Sequence, residues 1–433
     1  MMDPVWAYWV VFGIAVSQVF LISSGKDNHF LLVHYVTVLI YFSAAPAMQI
    51  ASNSEFWGVG IIGGRAHREA FLLLLAYLCG IELASVLWSG ETAGAAATAR
   101  MPVSGLADKS ISGIGKICLL TCSALAFGAM FIKPDLNFVP RGIITADTSR
   151  PLELLLYSML PKTTVLLAFS VFLINLRNER TVIAFLAMAG AFGFACVAGN
   201  PVTTPRQIIL IGLMPVAMHF LMQRWAVAFS LLTFLSVAGI GPFFNFISRG
   251  TFYDVDLDSF PMSADFDAMY VVAGLLERAP APEAGMGRYL LSAISFMLPR
   301  DFKLYSSFDP LQWNSVDANF SQSNLSLPPF MPAFLDFGYL GPVLLGLAIA
   351  RLFQKIQSKV NFDSPLQSGH LFALVAMATY VPFLRGPILG WGPFATSGVV
   401  AICVLAWLAN RTSNFKREAI RPYSSLQMIK EKM

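Results

Sequence analysis

About eleven apolar runs follow one another along this chain, near 5 to 23, 29 to 50, 70 to 88, 112 to 132, 153 to 175, 181 to 198, 207 to 223, 225 to 247, 334 to 354, 366 to 384 and 388 to 409. Each approaches the ~17 to 25 residues that a helix needs to cross hydrocarbon. Backbone polar groups inside a bilayer must be satisfied within the segment or within a closed barrel, and continuous rather than alternating runs select the helix. A chain that is 56% hydrophobic and only 12% charged has too little polar surface to fold as an ordinary soluble domain. The expected fold class is therefore an all-α polytopic integral membrane protein with about eleven transmembrane helices, ten to twelve depending on how the runs are cut. The first run, Val5 to Ser23, has only Asp3 as a charge before it and no small-residue cleavage pattern after it, so it reads as a retained span rather than a signal peptide.

The five cysteines (Cys79, Cys118, Cys122, Cys196 and Cys403) all lie inside apolar runs. That placement argues against a disulfide framework or a metal site and for small packing residues. The net charge of +4 gathers at the C-terminus and implies no nucleic-acid partner. Lys and Arg in the short connectors set the orientation. The tail, with Arg411, Lys416, Arg417, Arg421, Lys430 and Lys432, belongs in the cytoplasm. Counting back puts Arg351, Lys355, Lys359, Arg224, Arg177, Arg180, Arg100, Lys109 and Lys116 on the same side. Lys133 to Arg150, Asn200 to Arg206 and the long polar loop from Ser248 then face outward. One connector disagrees, because Arg65, His67 and Arg68 also fall outside. Either those charges have work there, or FWGVGIIGG is a re-entrant or extra segment. The organisation expected is about eight spans over 1–247, an extracytoplasmic loop over 248–333, about three spans over 334–409 and a basic cytoplasmic tail over 410–433.

A loop of roughly 85 residues between spans is far longer than an ordinary connection, and such loops are usually functional. Within it, Ser263 or Asp265 can cap a helix from Phe266 that Pro280 stops after Arg278, with Phe266, Met269, Tyr270, Ala273 and Leu276 on one face. A second helix is expected from about Gly287 to Leu298, ended by Pro299. Both are too short to span. They are read as interfacial helices covering the bundle on its outer side, or alternatively as a small soluble cap with its own core.

Several motifs occur in a fixed order: Asn200-Pro201 with Pro205-Arg206, Asp265-Phe266-Asp267-Ala268, Gly287 with Phe296-Met297-Leu298-Pro299-Arg300, Asn324-Leu325-Ser326 with Pro328, and Asp336-Phe337-Gly338 with Gly341. This succession resembles the Wzy-type oligosaccharide repeat-unit polymerases of bacterial envelopes, over Asn200 to Gly341. Two departures stand out: Asp301-Phe302-Lys303-Leu304-Tyr305 replaces the family's Trp and Lys, and Pro332 stands where a Glu usually precedes the Asp-Phe-Gly. The resemblance implies a GT-C-like architecture and a metal-independent glycosyltransferase of the bacterial inner membrane, without a cofactor. Its donor would be a growing glycan on undecaprenyl pyrophosphate, and its acceptor a sugar hydroxyl of a fresh lipid-linked oligosaccharide. Implied partners are the bilayer, a chain-length-regulating membrane protein and a flippase.

That chemistry can be set against the residues. A pyrophosphate leaving group needs positive charge at the membrane surface, and the planar fork of Arg supplies it bidentately. Arg206 is best placed if Thr203 or Thr204 caps the span and Pro205 occupies its first turn, since Arg206 then sits beside free amides at a positive helix end. Arg300 follows a helix-ending proline near the headgroups, where a plain cation at a helix C-terminus is an equal explanation. Arg249, Arg288 and Arg141 are further outward candidates, equally able to bind lipid phosphate nonspecifically. Arg385 in FLRGPILGWG lies on the same side and can border the same cavity. For the base that deprotonates the acceptor, Asp267 and Asp336 are the candidates, with Asp336 also explicable as an acid at a helix start. His29, His34, His219 and His370 fall in or beside spans, leaving only His67 outside. Asp254, Asp256 and Asp258 lack calcium-loop spacing and read as solvated acids, and the sequons at Asn319 and Asn324 as coincidence. A lipid-linked glycan ligase or a repeat-unit flippase or transporter are the alternatives. The transporter would carry ionisable residues in mid-span and internal repeats; Glu82 is the clearest buried charge, and no repeat is evident.

Overall fold

The computed structural model describes residues 3–24, 29–53, 55, 60–88, 111–139, 151–222, 225–235, 266–278, 285–287, 289, 326–360, 368–386 and 394–408. The regular structure among them is helical: α1 (Pro4–Ser24), α2 (Phe30–Ala51), α3 (Gly64–Leu87), α4 (Gly113–Ala129), α5 (Leu155–Arg177), α6 (Val182–Ala198), α7 (Arg206–Met222), α8 (Ala226–Leu235), α9 (Ala268–Arg278), α10 (Phe330–Phe337), α11 (Leu340–Gln357), α12 (Ser368–Arg385) and α13 (Phe394–Leu408). Helices α1, α2, α3 and α5 are long and apolar enough to cross a membrane, and α4, α6, α7, α8, α12 and α13 are shorter apolar helices.

Among the described residues each apolar run contains one of these helices, four of them long enough to span, with two shifts; of the run near 225 to 247 only 225–235 lies among the described residues. Helix α3 starts at Gly64 rather than near residue 70, because its first turn, Arg65 to Glu69, is polar and hides the helix from a hydropathy reading. The run expected from Phe334 is broken into α10 and α11. The break falls at Gly338, whose φ of 60° and ψ of −152° are open essentially to glycine alone.

Prolines inside the apolar helices are absorbed locally. Pro46 and Pro161 each follow a π-helical stretch, Val38–Ala44 and Leu155–Met159. A proline has no N–H to give and its ring crowds the carbonyl one turn back, so the helix widens there. The amide of Ala45 accordingly reaches back to Ile40 O, and that of Leu160 to Leu155 O. Ser43 Oγ donates to Leu39 O at 2.8 Å and Thr163 Oγ1 to Met159 O at 2.7 Å, supplying donors where the regular ladder is disturbed.

Two groups of helices make up the bundle. One core joins α1, α2, α3, α9, α10 and α11. The other is built from α4, α5, α6 and α13, and residues of α7 and α12 pack into both. Helices α3 and α11 cross in close contact. A Cβ on Gly80 would overlap Val343 O, and one on Gly346 would overlap Tyr77 O, so the two backbones touch through reciprocal glycines. Where lipid competes with side chains for apolar contact, such small-residue packing is what holds helices together. Helices α5 and α7 are joined in the same way, with Gly212 against Leu166 and Ser170 Oγ donating to Gly212 O.

Leucine at Gly80 or Gly346 must therefore push α3 and α11 apart, at a cost of about 1–3 kcal/mol or more. The expected result is a lower unfolding midpoint in detergent for Gly80→Leu and Gly346→Leu. Gly193→Leu, at an exposed position with nothing within 4 Å of the added Cβ, should leave the midpoint unchanged.

Candidate functional site

Helix α9, from the long loop, is docked against the bundle at the end where α2 finishes and α3 begins. Gly63 N donates to Glu277 Oε1 at 2.9 Å, Tyr270 Oη to Gly60 O at 2.5 Å, and Gln49 Nε2 to Phe266 O at 3.0 Å. The connector that disagreed with the orientation count thus lies beside the loop helix. Its charges are handled locally: Arg65 pairs with Glu69 at 3.0 Å across an exposed turn, and His67 is buried with its ring 6.4 Å from that of Tyr270.

The loop helix ends at Arg278 as expected but begins at Ala268, two residues after Phe266. Asp267 stands at the N-cap, its carbonyl accepting the Val271 amide at 2.8 Å, while the expected caps Ser263 and Asp265 lie outside the described residues. The expected surface position is corrected. Every residue from Ala268 to Leu275 is buried, in a core shared with α2, α3 and α10, so the helix has neither one wet face nor a core of its own. Its small residues, Ala268, Ala273 and Gly274, let neighbours close over it.

Both carboxylates named as candidate bases are 1% exposed. Asp267 Oδ2 faces the amide of Ser326 at 3.5 Å, just ahead of α10. Asp336 is not at a helix start. It is the penultimate residue of α10, the end where the helix dipole disfavours a carboxylate, so the explanation by position fails. Its Oδ1 instead accepts the Tyr289 amide at 3.0 Å, and Gly285 N donates to Leu335 O at 3.1 Å. Gly285 is required there, since a Cβ would run into Asp336 Oδ1 and the Tyr289 ring. Gly341 is required as well, since its Cβ would overlap Ala333 O. The Asp-Phe-Gly and Gly341 of the motif therefore form a tight corner between α10 and α11 that pins the loop at Gly285 and Tyr289.

Cations gather at the same end. Arg206 is the first residue of α7 and half-buried, but the helix cap is Pro205, with no side-chain capping bond. The expected threonine cap is corrected: Thr204 Oγ1 turns back to Ala198 O at 2.7 Å, closing the end of α6. Thr203 O accepts Lys162 Nζ at 3.0 Å. Lys162 was missed by sequence reasoning, and its whole side chain is buried in α5. The Pro161-Lys162 pair inside an apolar run was the available signal. Arg385, the last residue of α12, stands over the Tyr41 ring at 5.7 Å, and Tyr41 packs on Phe266 with centroids 5.7 Å apart. One aromatic step thus separates Arg385 from the residue before Asp267. Arg300, Arg249, Arg288 and Arg141 lie outside the described residues, as do Asp254, Asp256 and Asp258, the Asn319 and Asn324 positions and most of the second loop helix.

Deeper in the bundle, His34 Nδ1 and Tyr380 Oη lie 2.7 Å apart, and Tyr380 Oη and Tyr77 Oη 2.9 Å apart, joining α2, α12 and α3 in one buried chain of hydrogen bonds. Tyr77 is also the residue whose backbone meets Gly346. Glu82 is half-buried. Among the described residues no three His, Cys, Asp or Glu side chains gather where they could hold a metal ion. No family model, curated protein or solved structure matches the chain.

Removing the Asp336 acceptor leaves a buried amide unsatisfied, which costs about 1–3 kcal/mol. Hydrogen exchange at the Tyr289 amide is expected to speed up in Asp336→Ala and to stay slow in Asp336→Asn, which keeps an acceptor oxygen. Equal protection in both variants would contradict the corner described above.

Proposed function

We propose that the protein is a polysaccharide polymerase of the bacterial inner membrane, crossing it about eleven times, with the α9 end facing outward. It joins undecaprenyl-pyrophosphate-linked oligosaccharides by transferring the growing glycan to a sugar hydroxyl of an incoming lipid-linked unit. The reading rests on one observation: two buried carboxylates on the loop side and the cations Arg206, Arg385 and Lys162 share one end of the bundle. The ordered motifs from Asn200 to Gly341 support it.

In this reading Arg206 and Arg385 bind the pyrophosphate oxygens at the membrane surface, where fixed positive charge stabilises the leaving group as it departs. Lys162 holds the turn that carries Arg206. Asp267 takes the proton of the attacking hydroxyl, being at the end of α9 nearest Arg385, while Asp336 positions the loop through Tyr289. Arg300 remains a further phosphate ligand in the proposal, with Arg249, Arg288 and Arg141 behind it.

A second reading has its own support. Lys162 and the His34–Tyr380–Tyr77 chain are ionisable groups inside apolar helices, which is what a transporter of lipid-linked sugar would use. Purified protein with its native lipid-linked repeat unit separates the two. A ladder of products formed without nucleotide or metal is expected, reduced about 10²-fold or more in Arg206→Ala, Arg385→Ala and Asp267→Asn and largely kept in Asp336→Asn. No ladder from a folded parent, with lipid-linked sugar crossing a proteoliposome membrane, would select the transporter instead.

A further inference from the structure

We propose that the cleft between α11, α12 and α13, at the end of the bundle opposite the loop, is a binding site for an anionic glycerophospholipid. Its end of the molecule follows from α11, which leaves the Gly338 corner beside the loop and carries Lys355 in its last turn. There Phe30 N donates to Gln357 Oε1 at 3.0 Å, tying the start of α2 to the same end.

The cleft encloses about 610 Å³ between Lys355 and Lys359 on one side and Phe372, Ile402 and Trp407 on the other. Phe372 and Trp407 are 38% and 56% exposed, so its wall is apolar and open toward the surroundings of the bundle. A concave apolar wall of this kind accepts an acyl chain, and a tryptophan near one end is typical of the headgroup level. Lys355 and Lys359 lie one helical turn apart and both are exposed. Gly369 helps place the second: a Cβ there would lie 3.6 Å from the Lys359 Cβ, so the α12 backbone approaches closely alongside the lysine stem. Among the described residues neither ammonium meets a carboxylate. Two unpaired compact cations at the mouth of an apolar cleft complement a lipid phosphate, and basic pockets between membrane helices bind such headgroups. The sequence beyond α13 adds Arg411, Lys416 and Arg417, raising positive charge after the helix that forms one wall. Neither the cleft nor its lysines take part in the proposed polymerase site.

The test is lipid retention by the full-length protein in detergent, read by native mass spectrometry after incubation with phosphatidylglycerol or phosphatidylcholine. Phosphatidylglycerol is expected to be retained over phosphatidylcholine, with a loss of roughly tenfold or more in the Lys355→Gln/Lys359→Gln double variant. Cys403→Trp, at an exposed position lining the cleft, fills it without changing charge and should lower retention as well, and glycerol 3-phosphate alone should not bind. Equal retention of the two lipids, undiminished retention in the lysine variant with its unfolding midpoint unchanged, or stronger binding of undecaprenyl phosphate than of phosphatidylglycerol would overturn the assignment.

Discussion

The crossing of α3 over α11 is the contact on which the rest of the arrangement depends. Gly80 and Gly346 let the two backbones meet with no side chain between them, and nothing larger than hydrogen fits at either position. With lipid on the outside of a bundle, apolar area alone does not choose one helix neighbour over another, whereas backbone-to-backbone packing does. Helix α3 then offers its remaining faces to α1, α9 and α10. The loop helix is therefore placed by a span, not by the loop that carries it.

The corner after α10 turns that packing into a site. Gly338 reverses the chain, Gly341 lets α11 start against Ala333, and Asp336 reaches from the corner to Tyr289. A buried carboxylate at the unfavourable end of a helix is expensive, and here part of that cost is offset by the amide it accepts. The corner fixes the loop on one side, and the Asp267–Ser326 contact fixes it on the other. These two contacts tie α9, Gly285 and Tyr289 to the end of the bundle where Arg206, Arg385 and Lys162 lie. That geometry is the physical content of the proposal that this end handles a lipid-linked pyrophosphate.

Much of the fold was legible in the sequence because lipid imposes a simple rule on backbone polar groups, and the described part of each apolar run is helical. What was hidden follows from that rule's limits. The polar first turn of α3 does not register as apolar, so a reading by hydropathy starts this helix late. A glycine reversal inside an apolar stretch looks like continuous span, so α10 and α11 were merged. The loop helix was legible as a helix from its spacing and its proline stop, but not its depth. Its small residues allow burial all round, and periodicity alone reads them as a neutral face. At the site, Asp267, Asp336 and Arg206 were visible as residue types in ordered motifs, and Arg385 as an outward arginine beside Gly386 and Pro387. Lys162 and the His34–Tyr380–Tyr77 chain were not, because their partners lie 41 to 346 residues away in the chain. No local pattern encodes such a meeting.

The proposed orientation places the loop helix on the outward end of α3. It is tested most directly by placing cysteines at Gly63 and Glu277, whose parent residues share a 2.9 Å hydrogen bond, in a background lacking the five native cysteines. A short membrane-impermeant bifunctional thiol reagent added to intact cells with a permeable outer membrane is expected to link the pair. Linkage only after the inner membrane is opened would reverse the orientation. No linkage at all, with both thiols reactive singly, would contradict the docking of α9 on α3.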